Sequence, residues 1–116
     1  MNCLSLNICG TRTFLKRSWV KLLCLKNRVT FLGLQETRMM RVDLFCIKAM
    51  WGNSNFDFAS SSARCLSGGI LSVWDPNVFS KKRVVCSNNA VIVEGVWVAS
   101  GFTCFMGERL PASGCS

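Results

Sequence analysis

Two oxygen-bearing side chains, Asn7 and Glu36, each stand at the end of an apolar run that reads as a strand. An amide oxygen and a carboxylate at the C-terminal ends of neighbouring parallel strands share the crevice where open α/β sheets bind ligands. A small set of such oxygens suits a hard divalent cation, Mg²⁺ or Mn²⁺, with water and substrate phosphate in the remaining positions. The same two residues also fit a structural part, Asn7 capping a turn and Glu36 capping the helix that follows. Spacing alone favours the structural part. Other residues point to chemistry less strongly. Ser67-Gly68-Gly69 lacks the Lys and the following helix of a phosphate-binding loop, so it reads as a tight turn into a strand. Lys81-Lys82-Arg83 reads as a DNA-backbone contact or as a solvated hairpin turn. Trp19, Trp51, Trp74 and Trp97 sit among apolar residues and read as core rather than as platforms for stacked bases.

The elements that would position Asn7 and Glu36 follow from periodicity. Asn2 to Ile8 alternates partly as a strand does and stops at Cys9-Gly10. From Lys16 to Asn27, Leu15, Trp19, Leu22, Leu23 and Lys26 recur at three- and four-residue spacings, which predicts a helix. Its apolar stripe is expected to lie on a sheet, with Lys16, Arg17 and Lys21 in water. Val29 to Gln35 is nearly continuous in apolar residues, as in a strand covered on both faces. Strand, helix and strand at these lengths make a βαβ unit, so the first two strands are expected to be parallel neighbours. A second helix is expected over Val42–Met50, with Leu44, Ile47 and Met50 on one side.

Four further strand-like runs follow: Phe56–Ser60, Gly69–Trp74, Arg83–Ser87 and Val91–Val98. Turn signals at Ser67-Gly68, Asp75-Pro76-Asn77 and Asn88-Asn89 separate them and suggest one antiparallel meander. From Gly101 to Ser116 the pattern lapses; Phe102–Met106 could begin a strand, but the segment reads as a poorly ordered tail. The division expected is therefore a partial α/β domain over residues 1–100 and a divergent tail over 101–116. Val91–Val98 would then be an open sheet edge.

Bulk composition narrows the partners. Fourteen Lys and Arg against six Asp and Glu give a net charge of +8, which favours a polyanion such as nucleic acid. Half of the residues are apolar, which argues against disorder through low hydrophobicity. The longest uncharged stretch, Gly95 to Gly107, is too short to span a bilayer as a helix. Eight cysteines are scattered without a C-x-x-C pair and no histidine accompanies them, so no zinc site is indicated. With no secretory leader pattern at the N-terminus, the cysteines are expected to be buried, reduced thiols in a nuclear or cytoplasmic protein.

Three motifs, in order, carry a resemblance: Leu4-Ser-Leu-Asn7-Ile-Cys-Gly10, Phe31-Leu-Gly-Leu-Gln-Glu36-Thr37 and Ser67-Gly-Gly-Ile-Leu71. Together with Arg17-Ser-Trp-Val20, Trp51-Gly-Asn53 and Val73-Trp-Asp-Pro76, they resemble the endonuclease/exonuclease/phosphatase superfamily. Within it, the likeness is to the apurinic-like endonuclease domain of plant LINE-type (non-LTR) retrotransposons, over residues 1 to about 100. The resemblance implies the N-terminal half of a four-layer α/β sandwich, with Asn7 and Glu36 as metal-site and catalytic residues and Glu36 the direct ligand. It also implies Mg²⁺ or Mn²⁺ as cofactor and DNA as substrate. In that family an Asp–His pair and a Tyr-x-Pro turn come later, yet this chain has no histidine and no tyrosine. The expectation is a truncated, inactive relic of a metal-dependent DNA endonuclease. The alternatives are a noncatalytic, basic nucleic-acid-binding module, or a chain with no stable folded function.

Overall fold

The computed structural model describes residues 2–10, 14–39, 41, 43–61, 68–87 and 90–109. The chain runs β1 (Cys3–Asn7), α1 (Phe14–Lys26), β2 (Phe31–Gln35), α2 (Leu44–Trp51), β3 (Asp57–Ser61), β4 (Ile70–Trp74), β5 (Phe79–Cys86), β6 (Ala90–Trp97) and β7 (Phe102–Arg109). As the βαβ pattern requires, β1 and β2 are parallel, in register from Cys3 opposite Phe31 to Asn7 opposite Gln35.

The four later runs do not form one meander. β3 and β4 join the first sheet, whose order is β1-β2-β4-β3, while β5 and β6 open a second sheet ordered β5-β6-β7. The reason lies in the side chains. Every residue of β4 is buried, so it needs cover on both faces and sits between β2 and β3, whereas β6 alternates. The crossing between sheets is the Asp75 turn. Its carbonyl accepts from Val78 and Phe79 N–H at 3.0 and 2.9 Å, and its side chain accepts from Asn77 N–H at 2.9 Å. The Asn88-Asn89 turn signal lies outside the described residues.

The expectation of a disordered segment after residue 100 is corrected for Phe102–Arg109. This stretch is strand β7, paired antiparallel along the whole of β6 from Trp97 opposite Phe102 to Ala90 opposite Arg109. β6 is therefore central rather than an open edge; residues 110–116 lie outside the described part. Lys81, Lys82 and Arg83 are likewise not a turn. They stand inside β5, with a register irregularity between Lys81 and Arg83, and Arg83 pairs with Glu94 across the sheet at 3.1 Å.

Three layers result, part of a four-layer α/β sandwich. α1 and α2 cover one face of the first sheet, where Val20, Cys24, Ile47 and Met50 pack with Leu32, Leu34, Leu71 and Val73. Its other face joins the second sheet through Phe31, Ile70, Trp74, Phe79, Val91, Val93 and Trp97. Here Phe31 and Trp74 stack at 5.5 Å, and Phe79 meets both rings edge-on. α2 starts two residues later than expected. Asp43 caps it by accepting from Phe45 and Cys46 N–H, and Gly52 closes it with its N–H on the Lys48 carbonyl.

Two expectations about burial are corrected. In α1 the stripe that meets the sheet is Val20 and Cys24, while Leu15, Trp19, Leu22 and Leu25 face outward. Trp19, at 52% exposure, is thus the one tryptophan of the four that is not core. Of the described cysteines, Cys24 and Cys46 are buried, Cys104 is intermediate, and Cys3, Cys9 and Cys86 are exposed. Edge strands and loop ends carry the exposed three, so an apolar sequence neighbourhood did not translate into burial.

Candidate functional site

β1 ends because the chain leaves extended geometry immediately after Ile8. Cys9 and Gly10 take positive φ values of 50° and 104°, the latter a conformation that favours glycine. This tight exit carries the backbone across to the next strand end. Ile8 N–H donates to the Gln35 carbonyl at 3.1 Å, and Gly10 N–H donates to the Glu36 carbonyl at 2.7 Å. The ends of β1 and β2 are thereby tied together one residue past their last ladder pair.

Glu36 itself has a φ of 57° and Arg38 a φ of 56°, left-handed positions that non-glycine residues seldom adopt. Contacts to the entry of β4 hold this bend. Thr37 N–H donates to the Gly69 carbonyl at 3.1 Å, and Arg38 N–H to the Gly68 carbonyl at 2.8 Å. The Glu36 carboxylate is 2% exposed, and its Oε2 accepts from Gly68 N–H at 3.2 Å. The turn into β4 is thus tied to Glu36; Ser67 lies outside the described residues.

Asn7, on the exposed side of β1, accepts the Cys9 thiol on Oδ1 at 3.4 Å. It stands level with Gln35, the residue before Glu36. The structure therefore places the two sequence-derived site residues at the ends of adjacent strands. Sequence reasoning missed the groups around them. Lys16, expected in water, reaches back from α1 and donates to the Cys9 carbonyl at 2.9 Å. Arg38 is exposed and lies alongside Gly10, its Cδ 3.5 Å from where a Cβ on that glycine would stand. The signal for Arg38 was available: a cation two residues beyond a candidate ligand carboxylate.

A buried carboxylate with an amide donor and, at the next strand's end, an amide oxygen are ligand types that suit a hard cation. A desolvated carboxylate is costly, and a cation offsets that cost directly. Among the described residues no group of three or more His, Cys, Asp or Glu could hold a metal. What the described residues offer such an ion is the Glu36 carboxylate and the Asn7 amide oxygen, with Lys16 bonded to the Cys9 carbonyl and Arg38 alongside Gly10 near the same strand ends. No described helix is long and apolar enough to cross a membrane.

No protein-family model and no curated protein sequence matches the chain. Solved structures do. The AP endonuclease LMAP of Leishmania major superposes with a TM-score of 0.66 at 12% identity, over 95% of this chain and 39% of that one. The human Nocturnin catalytic domain, solved with a bound sulfate anion, superposes with a TM-score of 0.56 at 14% identity, over 88% of this chain and 46% of that one. Both are endonuclease/exonuclease/phosphatase-type folds. The chain has this fold over less than half the length of either neighbour.

Proposed function

We propose that the chain holds the front of a divalent-metal phosphodiesterase site of the endonuclease kind. Glu36 is its carboxylate ligand and Asn7 the accompanying amide oxygen. The observation that carries this reading is the placement of Asn7 and Glu36 at the ends of adjacent parallel strands, with Glu36 held at its carbonyl by the Gly10 amide and at its carboxylate by the Gly68 amide. The ordered motifs around them support descent from the endonuclease domain of a plant LINE-type retrotransposon, with DNA as partner. A nuclear or cytoplasmic location is part of the same proposal.

When bound, Mg²⁺ or Mn²⁺ would polarise a phosphodiester and stabilise its leaving oxygen. Glu36 and Asn7 would hold the ion, and Lys16 and Arg38 would draw phosphates toward it. What the chain does not supply is an imidazole to move the proton of an attacking water, since it contains no histidine. General acid–base help contributes about 10²- to 10⁴-fold in such reactions, so the 116 residues alone should turn over negligibly.

The test is Mn²⁺ binding followed by electron paramagnetic resonance, together with nicking of supercoiled plasmid. The expected result is Mn²⁺ binding that Glu36→Gln removes, with nicking at the buffer level. Nicking that Glu36→Ala abolishes would overturn the inactivity. Mn²⁺ binding equal in parent and Glu36→Gln would overturn the site.

A noncatalytic DNA-binding role is favoured by a second observation, the exposed Lys81, Lys82 and Arg83 along β5. On that reading duplex DNA binds without metal and Glu36→Gln leaves the affinity unchanged.

A further inference from the structure

Cys3 and Cys104 belong to different sheets but face the same gap between them. In the parallel β1–β2 pair Cys3 is level with Phe31, so its side chain leaves the sheet on Phe31's face. Phe31 lies in the core between the two sheets. From the opposite sheet Cys104, which pairs with Gly95 of β6, packs against that same core. β2 and β7 touch across the gap, and β1 flanks β2 at the sheet edge. Both thiols are free; Cys3 is exposed and Cys104 intermediate. The Cys3 thiol is held above its ordinary value by burial first and then by Cys104. Facing sheets pack about 10 Å apart, and inter-sheet disulfides span such a gap in other proteins, the immunoglobulin sandwiches among them.

We infer that Cys3 and Cys104 form a paired-thiol site that closes to an inter-sheet disulfide when a small disulfide such as oxidised glutathione is supplied. The exposed Cys3 thiol loses its proton and attacks one sulfur of the oxidant, releasing one reduced glutathione and leaving a mixed disulfide on Cys3. The Cys104 thiolate then attacks the Cys3 sulfur and expels the second glutathione. Two protein thiols are oxidised and one glutathione disulfide is reduced to two thiols, with no other reactant. The other described thiols lack this arrangement: Cys24 and Cys46 lie in the helix-side core, and Cys9 and Cys86 are exposed at strand ends.

The test uses the full chain in a Cys9→Ser, Cys86→Ser background. A tryptic link between the peptide carrying Cys3 and that carrying Cys104 is then unambiguous. The folded protein is incubated with oxidised glutathione, alkylated and mapped by mass spectrometry, and the same incubation is run in guanidinium. The expected result is a Cys3–Cys104 link several-fold more abundant in the native sample than in the denatured one. A higher melting temperature for the oxidised form, absent in Cys104→Ser, should accompany it. A link no more abundant in native than in denatured protein would overturn the proposal. So would a mixed disulfide that persists on Cys3.

Discussion

Glu36 combines a left-handed backbone with near-complete burial, the residue being 2% exposed. Glu36→Gln keeps the shape and an oxygen that can accept from Gly68 N–H. It should leave unfolding in urea unchanged or raise stability by up to about 1 kcal/mol while removing metal binding. Gly10 shows the reverse balance. Among the described residues a Cβ there would meet Arg38 Cδ at 3.5 Å, an ordinary contact, so its φ of 104° is what requires glycine. Gly10→Ala should therefore cost roughly 1–3 kcal/mol in urea denaturation through backbone strain alone. Cys24 offers a titration. Burial lifts its thiol from 9.0 to about 11, so the unfolded chain ionises there first and stability should decline as pH rises from 9.0 towards 11. In Cys24→Ala, denaturation curves across that range should show a shallower decline. At this scale the placement of Asn7 and Glu36 at strand ends was legible, because each closes an apolar run in the sequence. Lys16 was not, since its contact to Cys9 exists only once the loop after β1 is folded.

Among the elements, those with a single apolar pattern were read correctly and those with two were not. β2 admits one reading, because its run from Phe31 to Leu34 has no polar side chain to face water. α1 carries two apolar stripes, one of small side chains (Val20, Cys24) and one of large (Leu15, Trp19, Leu22). The smaller stripe allows the helix to sit close against the sheet and α2. β7 was passed over because Gly107 and the charged residues after it weaken its pattern. Its ladder partner β6 supplies what local sequence did not. Gly95, at the centre of β6, shows how closely the second sheet is fitted. An added Cβ would stand 2.5 Å from both Phe79 Cζ and the Ser80 carbonyl oxygen. Gly95→Ala should cost at least about 1–3 kcal/mol, measured by thermal or urea unfolding, because the obstruction is partly backbone.

Taken whole, the molecule has a radius of gyration of 13.4 Å, and a compact domain of this length is expected near 13.4 Å by the usual scaling, about 2.2·N^0.38. Covering 39% of one neighbour and 46% of the other has not left an expanded chain. The parallel pair and the α/β class were legible because they follow from local periodicity. The division into two sheets was not, because it depends on which faces of β4 find cover. If the basic surface binds DNA as proposed, affinity should fall steeply with salt. Changing Lys16 and Arg38 together to Gln should then flatten the log–log salt slope by roughly one for each phosphate no longer neutralised. β2 and β4 lie inside the first sheet with both faces covered, whereas β1 and β7 are edge strands. The backbone amides of β2 and β4 can reach solvent deuterons only when both cores open at once. Hydrogen exchange should therefore rank these two strands slowest, at the rate of global unfolding, with β1 and β7 exchanging through smaller local openings.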